Sequence, residues 1–344
     1  MRRRLLCYLF ASWALLGAGW ALAQPVHELT VGSGERLLIL APHPDDETLG
    51  AGGVAQQALA RGGSVRSVVV TAGDAYVEAI QAFLHKRKLR NADYLFYGEL
   101  RLRESEQAAR VLAGSTFMHL DLLGFSDGSI YDMLVTHWRR NNPDRSDFTG
   151  ENHVPYPEAE DKGTAQDGED LRRELLAILQ DTKPTLIAFP DVMENDSDHA
   201  GLGMFALLAV HDWLESQPLH PPSPRLLAYL IHWRDNWPPG ADADKPIDRS
   251  DQPLHLPEDL PLRGHRRVCF TLSRAEVETK RAALAQYTTQ QQAMAPFLAA
   301  FVHTTECFTQ LEPEKIHGVD NVVAQWRQVR KQFDLHPLSR RKIE

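Results

Sequence analysis

The strongest constraint on how this 344-residue chain can fold is an alternation: apolar runs of strand length are separated by stretches of helical period. Strand, helix and strand in that order build βαβ units, whose crossovers make the strands parallel and cover both faces of the sheet. "RLLILA" at 36–41 reads as a first strand, 48–62 as a helix, and "SVRSVVVTAG" as a second strand ending at Gly73. A helix over 76–89 follows, then one over "LRLRESEQAARVLAG", where Leu102, Ala109 and Leu112 fall near helical spacing. "TFMHLDL" reads as a third strand, 168–181 as a helix, "PTLIAFP" as a fourth strand, Ala200 to Ser216 as a helix and "RLLAYLIHW" as a fifth strand. The expected fold is α/β, a mostly parallel sheet with helices on both faces and its ligand site at the carboxyl ends of the strands.

Two segments depart from the alternation. Residues 137–168 are polar and aperiodic, and a loop this long inside a domain reads as an active-site lid, with Trp138 and Tyr156 available to stack on a ligand. Residues 238–264 are rich in Pro and Asp; the strand "RRVCFTL" follows, and Ser273 with Glu276 three residues on is a capping box opening the helix "SRAEVETKRAALAQYTTQQ". With no break in composition, 24–344 is expected to be one domain and 238–344 an appendage to it.

The first 23 residues read as a secretory signal peptide: Arg2, Arg3 and Arg4, an apolar core, then Ala21-Leu22-Ala23 before Gln24. The competing reading is an uncleaved anchor. Export implies a periplasmic or secreted protein, and with no second apolar run of membrane length the mature chain is expected to be soluble. Its cysteines, Cys269 and Cys307, could pair in an oxidising compartment or stay as buried thiols. Removal of the three arginines takes the formal charge from −9 to −12, which gives no support to binding nucleic-acid phosphates by charge.

Chemistry concentrates at two strand ends. After "RLLILA" come Pro42, His43, Pro44, Asp45, Asp46 and Glu47, and after "TLIAFP" come Asp191, Glu194, Asp196, Asp198 and His199, each group just before a helix start rich in small residues. Either group alone reads as carboxylates capping a helix N-terminus. Together they supply His43, Asp46 and His199, the three-ligand count of a catalytic zinc that keeps a position open. His211, His255 and His303 read as solvated or structural.

"PHPDDETLGAGG" followed by "DSDHAGLG" resembles the zinc-dependent N-acetylglucosaminylphosphatidylinositol de-N-acetylase family, also called PIG-L or LmbE-like. "YLIHWRDNWPPG" and "KRAALAQYTTQQQAMAPFLAAFVHTTECF" are similar to segments of its secreted bacterial members. The resemblance implies a Rossmann-like fold, one Zn²⁺ per chain held by His43, Asp46 and His199, and removal of an N-acetyl group from an N-acetylglucosamine-type sugar. It implies that Asp45 is the general base, that Arg103 and Asp127 hold substrate, and that Glu47 and Asp198 support the site from outside the ligand shell.

One position departs from the family. Many members carry a histidine where this chain has Asp196, and an ionised carboxylate cannot stabilise an oxyanion or protonate a leaving amine. Either Asp196 is protonated or another group acts, for which His232 is the candidate. The same departure keeps open a second function, a catalytically impaired carbohydrate-binding protein on this fold. A two-metal phosphodiesterase would need a bridging carboxylate and more strand-end histidines than the sequence offers.

Overall fold

Leu37 and Ile39 of "RLLILA" face one apolar layer while Leu38 and Leu40 face another. That is the period-2 alternation of an extended chain buried on both sides. In the computed structural model the described residues are 26–217, 223–234, 237–262 and 265–311, with Ala324. The signal peptide read over 1–23 lies outside them. Among the described residues, no helix is long and apolar enough to cross a membrane.

Eight strands form one sheet among the described residues: β1 (His27–Glu28), β2 (Arg36–Ala41), β3 (Ser64–Thr71), β4 (His119–Phe125), β5 (Leu186–Pro190), β6 (Arg225–Tyr229), β7 (Arg266–Thr271) and β8 (Thr305–Leu311). Their order is β1-β7-β8-β6-β5-β2-β3-β4. All neighbours are parallel except β8, which runs antiparallel to both β6 and β7. Among the described residues the sheet is covered by the helices α1 (Asp46–Ala60), α2 (Val77–Leu84), α3 (Asn91–Ala113), α4 (Ile130–Val135), α5 (Gly168–Thr182), α6 (Ser197–Glu215), α7 (Arg274–Leu284) and α8 (Thr288–Ala299). Apolar residues of α1, α3, α7 and α8 build the core on one face, and those of α4, α5 and α6 the core on the other.

The fold is the α/β sheet expected, and its topology places the site. From β2 the chain continues to β3 on one side, while β5 pairs on the other. The carboxyl ends of β2 and β5 therefore flank a switch point, the position where open α/β sheets bind ligands. Gly53 lets α1 lie close to the sheet, since a Cβ there would come within 2.4 Å of Leu272.

Several sequence expectations need correction. The fifth strand stops at Tyr229 because the next amides, of Ile231 and His232, donate to the Glu194 carboxylate instead of continuing the ladder. The single helix read over 273–291 is two, α7 and α8, because Glu104 accepts from the Thr288 and Thr289 hydroxyls and the Thr289 amide and so starts a new helix there. The capping box at Ser273 and Glu276 is present. The segment 238–344, read as an appendage, supplies β7 and β8, and β8 sits between β6 and β7 inside the sheet. Cys269 and Cys307, opposite each other on those strands, form a disulfide.

Candidate active site

Asp45 follows β2 in a backbone conformation that side chains rarely adopt, φ 115° and ψ −31°. Strain of this kind costs on the order of 1–3 kcal/mol and persists only where surroundings enforce it. Here they do. The Asp45 carbonyl accepts from the amides of Thr48 and Leu49, its own amide donates to Glu47 Oε2 at 3.1 Å, and Arg101 donates to Pro44 O at 2.6 Å and Asp45 Oδ2 at 3.2 Å. Arg101 approaches so closely that it fills the space a side chain at Gly73 would need, and Gly73 takes φ +61°. Glu47 is fixed in turn by the Tyr287 hydroxyl.

At the end of β5, Asp196 caps α6 by accepting from the amides of Asp198 and His199. This directs the fully buried His199 toward the β2 turn. His43 Nδ1 lies 3.2 Å and His199 Nε2 3.1 Å from the same oxygen, Asp46 Oδ2. His43 Nδ1 hydrogen-bonds to that oxygen, which also accepts from the His43 amide at 3.1 Å, whereas His199 Nε2 makes no hydrogen bond despite its distance. Donors around a tetrahedral zinc at about 2.0–2.1 Å sit roughly 3.3 Å apart, which the two distances to Asp46 Oδ2 match, and the three donor atoms lie within 4.8 Å of one another.

The opposite edge of each imidazole meets a carboxylate. His43 Nε2 lies 3.3 Å from Asp127 Oδ1 and 3.5 Å from Asp198 Oδ2, and His199 Nδ1 lies 3.7 Å from Glu194 Oε1. Neither ring nitrogen makes a hydrogen bond at these distances, so the carboxylates act on the two imidazoles through their charge. Burial works against a positive charge on either ring, yet the surrounding carboxylates hold both histidines well above the ordinary pKa. The pocket thus favours a cation at this point. Burial also raises Asp45, with the Arg101 guanidinium opposing it, and raises Glu47 to about 7.

Other predicted site residues fall out differently. Asp198, expected in support, accepts from the amides of Gly128 and Ile130 and faces His43. Asp127, expected on substrate, accepts from Ala75 N at 3.2 Å and borders His43, with its side chain 20 % exposed. Arg103 is not in the site: it is 54 % exposed and pairs with Glu99 and Glu158, while Arg101, which sequence reasoning missed, reaches Asp45. Asp196 caps α6, and the His199 and His43 imidazoles outweigh burial and hold its carboxyl at about 2. His232 packs edge-on against His199, with ring centroids 4.7 Å apart, and stacks on Phe297. Burial and His199 hold it at about 4, so it enters the site as a neutral imidazole.

The 137–168 segment does not offer its aromatic rings to a ligand. Trp138 stacks on Phe205 at 5.9 Å, and buried Tyr156 donates its hydroxyl to Asp74. His303 lies on the bend before β8 and is buried, its Nδ1 within 3.1 Å of the Gln252 carbonyl oxygen.

Fold and donor set define an α/β protein with a candidate mononuclear metal centre at a switch point. The family model described as GlcNAc-PI de-N-acetylase (PIG-L) matches residues 38–210, half of the chain, which includes both strand ends of the site. The chain belongs to that family, a class of de-N-acetylating hydrolases. Comparison with the curated proteins gives no match. Among solved structures, a deacetylase triple mutant of the teicoplanin biosynthetic pathway is 15 % identical, with 80 % of this chain and 98 % of that one covered and a TM-score of 0.50. The N,N'-diacetylchitobiose deacetylase of Pyrococcus horikoshii is 16 % identical, with 82 % and 86 % covered and a TM-score of 0.49. The 4-carboxy-2-hydroxymuconate hydratase of Pseudomonas putida KT2440 is 14 % identical, with 90 % and 92 % covered and a TM-score of 0.46. At 15 % identity the likeness to the first of these speaks for the fold alone.

Proposed function

We propose that this chain is a zinc-dependent hydrolase, with one ion held by His43, Asp46 and His199, that removes the N-acetyl group from an N-acetylglucosamine-type amino sugar. Its N-terminal segment reads as an export signal, so the substrate is a polysaccharide, glycolipid or other glycoconjugate outside the cytoplasm. The observation that carries the reading is the convergence of three donor atoms beside Asp45, within a family of de-N-acetylases.

When bound, the ion supplies Lewis-acid polarisation of the amide carbonyl and acidifies water to a pKa of about 7. Asp45, held by Arg101, takes a proton as water oxygen adds to the acetyl carbon. The tetrahedral carbon then expels the sugar nitrogen, which takes up the proton that Asp45 removed from water, and acetate and a free amine result. On this reading His232, which packs edge-on against His199, donates its ring N–H to the developing oxyanion in place of the histidine that many family members carry at the Asp196 position. Asp127 and Asp198 hold the His43 ring, and the exposed edge of Asp127 is left for a sugar hydroxyl.

Metal analysis of the purified protein, joined to acetate-release assays on monomeric, oligomeric and lipid-linked N-acetylglucosamine, tests this. Asp45→Ala is expected to keep zinc and lose about 10²- to 10⁴-fold in rate. His43→Ala or His199→Ala is expected to lose the metal as well. Full activity in metal-stripped Asp45→Ala protein would sink the assignment. Bound zinc without acetate release from any of these sugars would favour the carbohydrate-binding alternative, for which the ionised Asp196 speaks.

A further inference from the structure

Helix α1, which carries Asp46, is broken. Ala51 takes φ −145° and ψ 15°, which separates the first turn from the rest. A break of this kind strands backbone donors and acceptors that must find other partners when buried. Here one buried ion pair supplies them. Both oxygens of Glu306 accept from α1, from Gly53 N at 2.7 Å and Val54 N at 2.8 Å. The Lys280 ammonium donates to Leu49 O at 2.8 Å and to Glu306 Oε1 at 2.7 Å. Lys280 is 1 % and Glu306 5 % exposed.

Desolvation of two charges offsets much of what such a pair gains, so stability by itself is weak grounds for placing it there. Its contacts point to another use. Leu49 lies three residues after Asp46 on the short first turn, and the pair clamps that turn from one side of the break to the other. Lys280 comes from α7 and Glu306 from β8, both outside the 38–210 stretch that matches the family model.

We propose that Lys280 and Glu306 are positioning residues for the metal centre: they hold the first turn of α1 so that Asp46 Oδ2 meets His43 and His199 at one point. This rests on the metal reading above. Without the pair, α1 is free to close its break into a regular helix, which rotates Asp46 away from the two imidazoles.

The test titrates zinc into chelator-stripped protein at a temperature where every variant is folded, and records melting temperature alongside. Lys280→Met and Glu306→Gln are expected to weaken zinc binding by about 10- to 100-fold, the range for partners that orient ligands. Lys280→Arg keeps the charge but cannot place a compact ammonium between Leu49 O and Glu306; it is expected to fold and still lose zinc affinity. Leu175→Ala, on the buried side of α5 in the core on the far face, is expected to lower the melting temperature and leave zinc affinity unchanged. Variants of the pair that melt early but bind zinc like the parent overturn the proposal and leave the metal reading standing. A parent protein that binds no zinc overturns both.

Discussion

Arg101 and Arg103 stand two residues apart on α3, and that spacing decides their roles. At 3.6 residues per turn they point about 200° apart, so they cannot share a face. Arg101 is buried against Asp45 and the carbonyls of Pro44 and Gly73, whereas Arg103 lies in solvent between two glutamates. Arg103→Ala is expected to change acetate release by less than about twofold, since exposed ion pairs contribute roughly 0–1 kcal/mol. Arg101→Met leaves a buried carboxylate without its guanidinium and lets the strained Asp45 relax; a rate loss of at least about tenfold is expected, with zinc content retained. Equal effects of the two substitutions on kcat would refute the distinction. The error in the sequence reading has a physical source. Strand ends are bounded by composition, so the grouping of His43, Asp46 and His199 was legible; the rotational phase of α3 was not, because Leu102, Ala109 and Leu112 mark a buried stripe too broad to say which flanking arginine turns inward. Asp196 was left open as a protonated acid or a bystander, because a helix cap and an acid at a strand end look the same in sequence; it is the cap of α6.

At the scale of elements, the 137–168 segment was legible as a loop but not as a built one. Its polar groups find protein partners both inside and beside the segment: Gln166 bridges the Ser126 amide and the Glu151 carbonyl, and Asp144 N donates to Gln166 O at 2.7 Å. Composition shows polarity but not whether partners are internal or solvent, which is why it read as a lid. The segment is tied to α5 where Thr164 Oγ1 donates to Glu174 Oε1 at 3.1 Å. Burial raises Glu174 to about 7, against the Thr164 hydrogen bond and Arg173. A carboxyl whose folded pKa is raised favours the fold while protonated. That contribution is fully present below the unfolded pKa of about 4.3 and is lost as pH rises through about 7. Glu174→Gln keeps an acceptor for Thr164 without the charge. Relative to the parent it is expected to gain roughly 2 kcal/mol between pH 5 and pH 8, read from urea unfolding at both values. A difference independent of pH would show that Glu174 does not titrate in this window.

For the whole molecule, the question is whether the site belongs to the 38–210 half or to the entire chain. The ligands and Asp45 all come from the first half, which is why two short motifs were enough to find them. Their placement does not. Tyr287 holds Glu47, Lys280 and Glu306 hold the first turn of α1, and Glu104 anchors α8 through Thr288 and Thr289. The sheet makes the same point, because β8 is an interior strand that pairs with β6 on one side and β7 on the other. The sequence hid this, since "TECFTQL" mixes polar and apolar residues in a strand that reverses the direction of an otherwise parallel sheet. A chain ended after Trp237 would turn β6 into an unpaired edge and uncover the apolar layer that Val277, Leu284, Leu298 and Phe308 now complete. An appendage could be removed with a folded, zinc-binding remainder. Here the truncated chain is expected to be insoluble or to lack a cooperative thermal transition by circular dichroism, and to bind no zinc. A soluble 24–237 fragment that melts cooperatively and retains one zinc would show instead that the half carrying the ligands positions them unaided.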